Sequence, residues 1–294
     1  MTDQTKPRLG YIGLGNMGKP MALRLIEQGF ALSTWARNPD RLSDLVAAGA
    51  TACASPAEVA GASDIIFTCV TNTDAIRAIV FGEGGLAEGG STGKTLIDMS
   101  SIEPAATVEM ANKLREACGM AWIDAPVSGG PTACAAGTLT VMAGGDPDDF
   151  ARVEAVINHL AGRLTLMGPN GAGQTTKLVN QALVGGTLAL MAEAIQFAQD
   201  AGVDASKIPA ALAGGRADST VLQEWAPRMV AKDYDPTGTV NIILKDMNVI
   251  GGAAGDSGTE MPVVGVATKL FRQAEQQGFG ELDVCAVKKV YDAD

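Results

Sequence analysis

The chain has 294 residues, of which 47% are hydrophobic, so it can bury one large core or two ordinary ones, and its length favours two domains. A formal net charge of −11 provides no basic surface for duplex DNA or anionic lipid, which excludes nucleic acid and membrane from the expected partners. Five widely spaced cysteines favour reduced thiols over a disulfide framework or a zinc site, and we expect no bound metal.

The start of the chain lacks the apolar stretch of a signal peptide, and no charge-free apolar run reaches the ~18 residues that a membrane span needs. We therefore expect a cytoplasmic protein. The single histidine, His159, stands in an amphipathic stretch that favours a surface or edge position. Any acid–base chemistry is then expected to use another side chain.

The first half of the chain alternates short apolar runs with segments of helical spacing. The predicted strands cover 9–12, 32–35, 64–70, 95–99, 121–124, 139–143 and 163–167. The predicted helices between them cover 20–28, 40–48, 104–118 and 147–160. This alternation predicts an α/β fold, with a Rossmann-type doubly wound sheet in residues 1–168.

The second half has few strand signals and a continuing helical pattern. The predicted helices cover 174–201, 205–213, 221–231, 242–254 and 261–277. Residues 169–294 are therefore predicted to form an all-helical substrate and oligomerisation domain. Such a domain carries more apolar face than it can bury alone, which predicts a homodimer or homotetramer.

A glycine motif directly follows the first predicted strand and opens a helix. Its residues are Gly13, Leu14, Gly15, Asn16, Met17 and Gly18. The first glycine makes the turn, the second lets a pyrophosphate approach the backbone, and the third packs helix on strand. Alone the motif could be an ordinary glycine turn, but within the βαβ alternation it predicts a dinucleotide site.

The second predicted strand ends without the acidic residue that binds the ribose hydroxyls of NAD. The chain there continues with Arg37 and Asn38. Arg37 can form charge-assisted bonds to a 2′-phosphate, which favours NADP(H) as cofactor and leaves NAD(H) possible. The alternative is a solvated surface arginine near Asp40.

Two further segments carry groups suited to a small carboxylate substrate. Ser128, Gly129 and Gly130 follow a predicted strand and can offer a hydroxyl and backbone N–H groups, although a plain glycine-rich turn explains them equally well. Lys177, Asn180 and Gln181 can share one face of the long helix, although surface residues would show the same spacing.

Taken together, these segments resemble the β-hydroxyacid dehydrogenase family over nearly the whole chain. The motifs that carry the resemblance are the segment 11–18 with Met21 and Ala22, the segments 98–101, 124–130 and 137–139, the segment 144–146, the segment 171–180, and Lys245 with Asp246. Gln181 and the segments 214–215 and 219–222 look more like the tartronate semialdehyde (2-hydroxy-3-oxopropionate) reductase branch than the 3-hydroxyisobutyrate branch.

The resemblance implies roles for individual residues. Lys177 matches the catalytic lysine, with Ser128 and Asn180 beside the reacting centre. The implied cofactor contacts outside the glycine motif are Arg37, Asn38, Val70, Thr71, Asn72, Ser101 and Lys245. The implied substrate contacts are Ser128, Gly129, Gly130, Lys177, Asn180, Gln181 and Asp246.

The function that this resemblance implies is reduction of a small carboxylate-bearing semialdehyde, such as tartronate semialdehyde, glyoxylate or succinic semialdehyde. Hydride would come from NAD(P)H, and Lys177 would act as general acid or base. Two alternatives stay open, an NAD-dependent 3-hydroxyisobutyrate-type dehydrogenase and a catalytically silent dinucleotide-binding module. Imine reductases share the plan, but Lys177 disfavours them.

Overall fold

The computed structural model describes residues 6–292 and divides the chain into two compact units. The first unit ends at Lys177, and the second begins at Leu178. This division falls later than the boundary predicted at residue 168, because the first turn of the helix Ala172–Asp200 is hydrogen-bonded to the sheet of the first unit.

The first unit is built on a nine-stranded mixed sheet. Its strands are β1 (Leu9–Ile12), β2 (Leu32–Trp35), β3 (Thr51–Ala52), β4 (Ile65–Thr68), β5 (Thr95–Asp98), β6 (Ala121–Asp124), β7 (Val127–Ser128), β8 (Leu139–Gly144) and β9 (Ala161–Gly168). The strand order is β3-β2-β1-β4-β5-β6-β8-β7, with β9 also paired to β8. All pairs from β3 to β6 are parallel, whereas β8 runs antiparallel to β6 and β7.

Helices cover both faces of this sheet, as the alternation of apolar runs predicts. They are α1 (Gly18–Glu27), α2 (Ser43–Ala47), α3 (Pro56–Ala62), α4 (Thr73–Phe81), α5 (Leu86–Gly89), α6 (Pro104–Cys118), α7 (Gly130–Ala136) and α8 (Pro147–Ile157). Successive strand residues enter opposite cores, because side chains alternate along a strand. Tyr11 and Phe67 lie in one core, and Ile12 and Ile66 lie in the other. The Rossmann-type fold is thereby confirmed.

Several short elements were not predicted from the sequence. Helices α3, α4, α5 and α7 have four to nine residues each, too short to show a clear helical period. Strands β3 and β7 have two residues each. In α7 the opening Gly130 and the proline after it are typical of a turn, and this conceals the helix.

The second unit is helical in its described part, apart from an isolated β-bridge between Thr239 and Asp283. Its helices are α9 (Ala172–Asp200), which begins in the first unit, α10 (Ile208–Leu212), α11 (Thr220–Ala231), α12 (Val240–Ser257) and α13 (Pro262–Ala274). A 3-10 helix, Val284–Tyr291, follows, and it was not predicted. The all-helical second domain is confirmed.

Close helix contacts and a buried ion pair hold this unit together. A Cβ on Gly185 would lie 2.8 Å from the sulfur of Met247, so the glycine lets α9 approach α12. The buried ammonium of Lys288 lies 2.7 Å from Oε1 of Gln196 on α9 and 2.8 Å from Oδ1 of Asp292. A buried lysine needs such partners, because its desolvation is otherwise uncompensated.

Helix α9 is long and apolar enough, by length and composition alone, to cross a membrane, with a mean hydropathy of 1.4 over its most apolar window. Of that window 39% is buried in the chain. The core helix of a soluble protein passes the same test, and α9 contributes Leu188, Ala192 and Ile195 to the core of the second unit. Length and composition therefore do not assign this helix to a membrane.

Candidate functional site

The glycine motif between β1 and α1 has the three properties that a dinucleotide turn needs. Gly13 adopts φ +102°, and a Cβ there would collide with the backbone oxygen of Cys69. A Cβ on Gly18 would collide with the backbone oxygen of Gly13, so packing of α1 on the turn requires the third glycine. A Cβ on Gly15 would meet no atom within 4 Å, so this position is open to a ligand.

The start of α1 has no cap of its own, although Asp44 pairs with Lys19 in its first turn. Its N-cap residue, Met17, makes no side-chain cap, and the first turn contains no acidic residue. The N–H groups of an uncapped helix end and the helix dipole favour a bound phosphate. A cavity of about 310 Å³ lies here, lined by Leu14, Gly15, Asn16, Lys19, Pro20 and Arg41. These residues fit the pyrophosphate of a nicotinamide dinucleotide.

Three predicted cofactor residues follow β2 and β4. Arg37 is exposed, and among residues 6–292 no carboxylate forms a salt bridge with it. The side chain of Asn38 is already used, because its Oδ1 accepts the backbone N–H of Asp40 at 3.0 Å. In the same way Oδ1 of Asn72 accepts the backbone N–H of Ala75 at 2.9 Å and caps α4. The two asparagines therefore shape turns, and their side-chain oxygens are occupied.

A buried network joins the loops that follow β4 and β5. Oδ1 of Asp98 accepts from the hydroxyl of Thr68 at 2.9 Å and from the hydroxyl and backbone N–H of Ser100 at 2.6 and 3.1 Å. The hydroxyl oxygen of Ser100 accepts the backbone N–H of Val70 at 2.9 Å. Val70 and Ser101 were both predicted to contact the cofactor, and this network fixes their loops against each other.

The ionised form of the Asp98 carboxyl is disfavoured by its surroundings. Its burial raises the pKa to about 6, although the hydrogen bonds from Ser100 and Thr68 favour the ionised form. Its neighbour in register across the sheet is Asp124, whose negative charge raises the pKa further. Within the described chain, Oδ2 of Asp98 has no hydrogen-bond partner.

Asp124, at the end of β6, holds the start of α9. Its Oδ1 accepts the backbone N–H of Gly171 at 2.9 Å, and its Oδ2 accepts the backbone N–H of Gln174 at 3.0 Å. Burial raises the pKa of Asp124, and these backbone hydrogen bonds oppose that rise. A Cβ on Gly144 would lie 2.7 Å from Oδ2, and one on Gly173 would lie 2.8 Å from it. Both glycines thus make room for the carboxylate.

The side chain of Gln174 makes a second link between α9 and the sheet. It is 1% exposed, its Nε2 donates to the backbone oxygen of Ser100 at 2.8 Å, and its Oε1 accepts the backbone N–H of Ile102 at 3.2 Å. Lys177 stands one helical turn further on and is 7% exposed. The predicted catalytic lysine is therefore buried, on a helix whose first turn is fixed at both backbone and side chain.

The segment predicted to bind the substrate carboxylate is a strand end that leads into a helix. Ser128 pairs with Thr140 in the antiparallel β7–β8 ladder and is partly buried. Gly129 adopts φ +134° and Gly130 φ +70°, values that favour glycine strongly. A Cβ on Gly130 would meet no atom within 4 Å, so this backbone is open to a ligand.

In the second unit four predicted residues form one polar cluster. Nε2 of Gln181 donates to Oδ2 of Asp246 at 2.6 Å, and Nζ of Lys245 lies 3.0 Å from Oδ1 of the same carboxylate. Nδ2 of Asn180 donates to Oε1 of Gln181 at 2.8 Å. Asp246 is buried, and its negative charge is balanced by Lys245. The cluster fixes the orientation of the Asn180 amide.

Sequence reasoning assigned no role to four residues that shape these sites. They are Arg41, Asp98, Asp124 and Gln174. Three of them stand inside the motifs that carry the family resemblance, and each carboxylate ends a buried strand. A charged residue at the end of an otherwise apolar strand was the available signal. For Arg41 the sequence contains no motif that predicts a functional role, apart from its position a few residues after the second strand.

A larger cavity of about 680 Å³ lies elsewhere in the first unit. It is lined by Arg115, Gly145, Asp146, Pro147, Leu166, Gly168, Pro169 and Asn170. It contains none of the predicted site residues, and Arg115 is already paired with Asp149. The geometry that fits a dinucleotide pyrophosphate lies instead at the glycine turn.

Comparison with known proteins agrees with this geometry. Residues 8–168 match a family model described as the NAD binding domain of 6-phosphogluconate dehydrogenase. Residues 171–291 match a model described as NAD-binding of NADP-dependent 3-hydroxyisobutyrate dehydrogenase. The two models together span nearly the whole chain.

Individual relatives are similar over nearly their full length. The chain is 36% identical to 2-hydroxy-3-oxopropionate reductase of Escherichia coli (strain K12), with 95% of each protein covered. It is 31% identical to 2-(hydroxymethyl)glutarate dehydrogenase of Eubacterium barkeri, with 97% of this chain and 95% of that protein covered. The crystal structure of 3-hydroxyisobutyrate dehydrogenase from Salmonella typhimurium matches with a TM-score of 0.86 at 30% identity, covering 97% of this chain and 100% of that one. The chain therefore belongs to the β-hydroxyacid dehydrogenase family and is an oxidoreductase with a nicotinamide dinucleotide as cofactor.

Proposed function

We propose that the enzyme reduces a small carboxylate-bearing semialdehyde to its hydroxyacid, with NADPH as the preferred reductant. The observation that carries this proposal is the placement of Lys177. It is a buried lysine, one turn into a helix that Asp124 and Gln174 fix to the carboxyl edge of a dinucleotide-binding sheet. Ligands of doubly wound sheets bind at this edge.

A bound nicotinamide cofactor supplies the hydride for such a reduction. Lys177 supplies the proton, which passes from its ammonium to the carbonyl oxygen during reduction and returns from the hydroxyl group during oxidation. His159 takes no part, because its ring packs on Phe30 and its Nδ1 lies 3.2 Å from Oε1 of Gln28.

The substrate carboxylate is assigned to the segment Ser128 to Gly130. The open backbone at Gly130 and the Ser128 hydroxyl offer donors suited to one carboxylate. Asn180, whose amide is oriented by Gln181, is assigned to the reacting end of the substrate. Tartronate semialdehyde, glyoxylate and succinic semialdehyde all combine a carboxylate with an aldehyde and are the proposed substrate class.

The preference for NADPH rests on positive charge after β2. Arg37 is exposed, Arg41 lines the cavity at the glycine turn, and neither forms a salt bridge among residues 6–292. A 2′-phosphate would gain charge-assisted bonds from such arginines. We expect Arg37→Ala to raise the KM for NADPH by roughly tenfold and to leave the KM for NADH nearly unchanged. Arg163→Ala, an exposed arginine on β9, is the control.

The direct test is the initial rate of NADPH and of NADH oxidation with glyoxylate, tartronate semialdehyde and succinic semialdehyde. Turnover of any of the three with NADPH supports the proposal and ranks the substrates. Oxidation of 3-hydroxyisobutyrate with NAD⁺, and no reduction of the three aldehydes, would instead assign the NAD-dependent dehydrogenase. Cofactor quenching of tryptophan fluorescence without any turnover would assign a silent binding module.

We also propose that the protein is a cytoplasmic homodimer or homotetramer built through α9. Leu183, Leu190 and Phe197 recur every seven residues on that helix and are 67, 66 and 74% exposed. Apolar side chains at this spacing form one stripe, and packing against the same stripe of a second chain would bury it.

Light scattering without detergent tests this assembly. We expect a mass that is at least twice the 30.1 kDa of the chain. Leu190→Glu should shift the mass toward the monomer, whereas Val46→Glu, on exposed α2 of the first unit, should not. A wild-type protein that is monomeric at all concentrations would contradict the proposal, and one that needs detergent would favour a membrane role for α9.

A further inference from the structure

A buried amide in the first turn of α9 binds the backbone on both sides of one cofactor-loop residue. Nε2 of Gln174 donates to the backbone oxygen of Ser100, and its Oε1 accepts the backbone N–H of Ile102. The residue between them, Ser101, is predicted from the family resemblance to contact the cofactor. Gln174 therefore clamps the backbone of the loop 100–102.

The same loop is joined to the neighbouring cofactor loop. The hydroxyl of Ser100 accepts the N–H of Val70 and donates to Asp98. A movement of the loop 100–102 would consequently strain its hydrogen bonds to Val70 and to Gln174. Three segments that are far apart in sequence thus share one set of hydrogen bonds.

The helix end itself does not need the Gln174 side chain. Asp124 already binds the backbone N–H groups of Gly171 and Gln174, which closes the N-terminus of α9. The two side-chain bonds of Gln174 come in addition, and both are directed at the cofactor loop. Their effect is to fix the distance between that loop and the next turn of the helix, where Lys177 stands.

We propose that Gln174 is a positioning residue that couples the cofactor loop 100–102 to Lys177. Both ends of the Gln174 amide bind the loop, and its backbone stands one helical turn before Lys177, so cofactor seating on the loop and placement of the lysine are set together. The proposal deepens the proposed function and rests on it in two respects, the predicted contact of Ser101 with the cofactor and the assignment of Lys177 as the proton donor. The coupling itself is a property of the described structure that can be measured without turnover.

The sharpest variant is Gln174→Glu. A protonated glutamic acid is nearly isosteric with glutamine, and it can still donate to the oxygen of Ser100 and accept from Ile102. The ionised form cannot donate and places a negative charge against a carbonyl oxygen. Burial raises the pKa of such a carboxyl, so the neutral form returns as the pH falls.

We expect kcat of Gln174→Glu to be at least about tenfold below wild type at pH 8, because small displacements of a reacting group are costly. The ratio of variant to wild-type kcat should rise as the pH is lowered toward 5.5. Gln174→Leu has a similar size but no polar end, so its kcat should be low at every pH. Thr175→Ala, on the exposed side of the same turn, should match wild type.

Two readouts separate coupling from a loss of folding. Thermal unfolding gives the folded fraction at each pH, and all rates are expressed per folded molecule. Tryptophan fluorescence gives the dissociation constant of NADP⁺, which should rise about fivefold in Gln174→Leu, as expected for a lost hydrogen bond to the cofactor loop. If Gln174 had a purely structural role, its substitution would lower Tm and leave the NADP⁺ dissociation constant and the rate per folded molecule unchanged.

The last readout reports on Lys177 directly. Reductive methylation of Lys177, quantified by mass spectrometry, should change in rate when NADP⁺ binds to wild type and should become insensitive to NADP⁺ in Gln174→Leu. If wild type turns over no substrate, the proposed function fails, and this measurement with the NADP⁺ titration still decides the coupling. If Gln174→Leu kept the kcat, the NADP⁺ affinity and the Lys177 reactivity of wild type, the proposal would be overturned.

Discussion

Two helices begin at the carboxyl edge of the same sheet, and their N-termini are treated in opposite ways. Helix α1 starts after an uncapped Met17 with no acidic side chain in its first turn. Helix α9 starts at the carboxylate of Asp124, which binds the backbone N–H of Gly171, just before the helix, and that of Gln174 in its first turn. The first N-terminus is open toward a cavity, and the second is closed by the protein itself.

The difference shows what each helix end is for. An open N-terminus presents N–H groups and a positive dipole end to an anion that arrives from solution. A closed N-terminus has N–H groups already bound to a carboxylate of the protein, and this bonding makes the helix start rigid. Asp124 and Gln174 make α9 a fixed support, and Lys177 is the reactive group that the support carries.

The largest expected effect comes from removing that reactive group. Lys177→Ala should lower kcat by about 10²- to 10⁴-fold, the range for loss of a general acid, and should leave NADPH binding nearly intact. Stopped-flow or steady-state rates with the best semialdehyde measure the first effect, and fluorescence titration measures the second. Lys269→Ala, an exposed lysine on α13, is the control. Near-normal turnover in Lys177→Ala would refute the assigned mechanism.

Opening the closed helix end should cost stability. Asp124→Ala leaves two buried backbone N–H groups without partners, and each costs about 1–3 kcal/mol of the free energy of unfolding. Asp146→Ala removes a comparable cap from α8, but Asp146 and Asp148 at that helix end are exposed and water can replace the carboxylate, so about 1 kcal/mol is expected. Denaturant unfolding of both variants gives the comparison. An equal loss of unfolding free energy in the two variants would mean that burial of the Asp124 cap does not increase its contribution to stability.

The open helix end separates folding from binding within one motif. A Cβ at position 18 would collide with backbone, so Gly18→Ala should lower the free energy of unfolding by about 1–3 kcal/mol. A Cβ at position 15 meets nothing, so Gly15→Ala should keep wild-type stability and weaken cofactor binding. Unfolding curves and NADP⁺ titrations on both variants test this pair. Reversed outcomes would show that the turn does not hold a pyrophosphate.

The fold was accessible from the sequence because its main elements are long or strongly patterned. Strands β1, β2 and β6 and helix α6 lie where apolar runs and turn residues predict them. The short helices between them were missed, because they are stabilised by packing on the sheet rather than by a period of their own. The second unit was predicted as helical because its helices are long and their apolar residues recur with a clear helical period.

The candidate site was accessible only in part. The glycine turn has a local sequence motif. The structure agrees with it, because a Cβ would collide with backbone at Gly13 and Gly18 but would meet no atom within 4 Å at Gly15. The support of Lys177 has no local signature, because Gln174 reaches partners 72 and 74 residues away and its backbone bonds a carboxylate 50 residues away. Such contacts depend on strand order, which no single motif encodes.

The smallest expected effect concerns the second buried carboxyl, Asp98, which faces the cofactor loops and not a helix end. Its pKa is raised to about 6 by burial, above the value of an unfolded aspartate, so its contribution to stability is fully present at low pH and is lost as the pH rises through about 6. Asp98→Asn keeps the accepting oxygen and removes the titration. The free energy of unfolding of wild type should therefore rise by about 1 kcal/mol relative to Asp98→Asn between pH 7 and pH 5, a difference that denaturant unfolding resolves. The negative charge of Asp124 raises the pKa of Asp98, so the difference reports the two coupled carboxyls together. A difference that stays flat between pH 7 and pH 5 would contradict the raised pKa of Asp98.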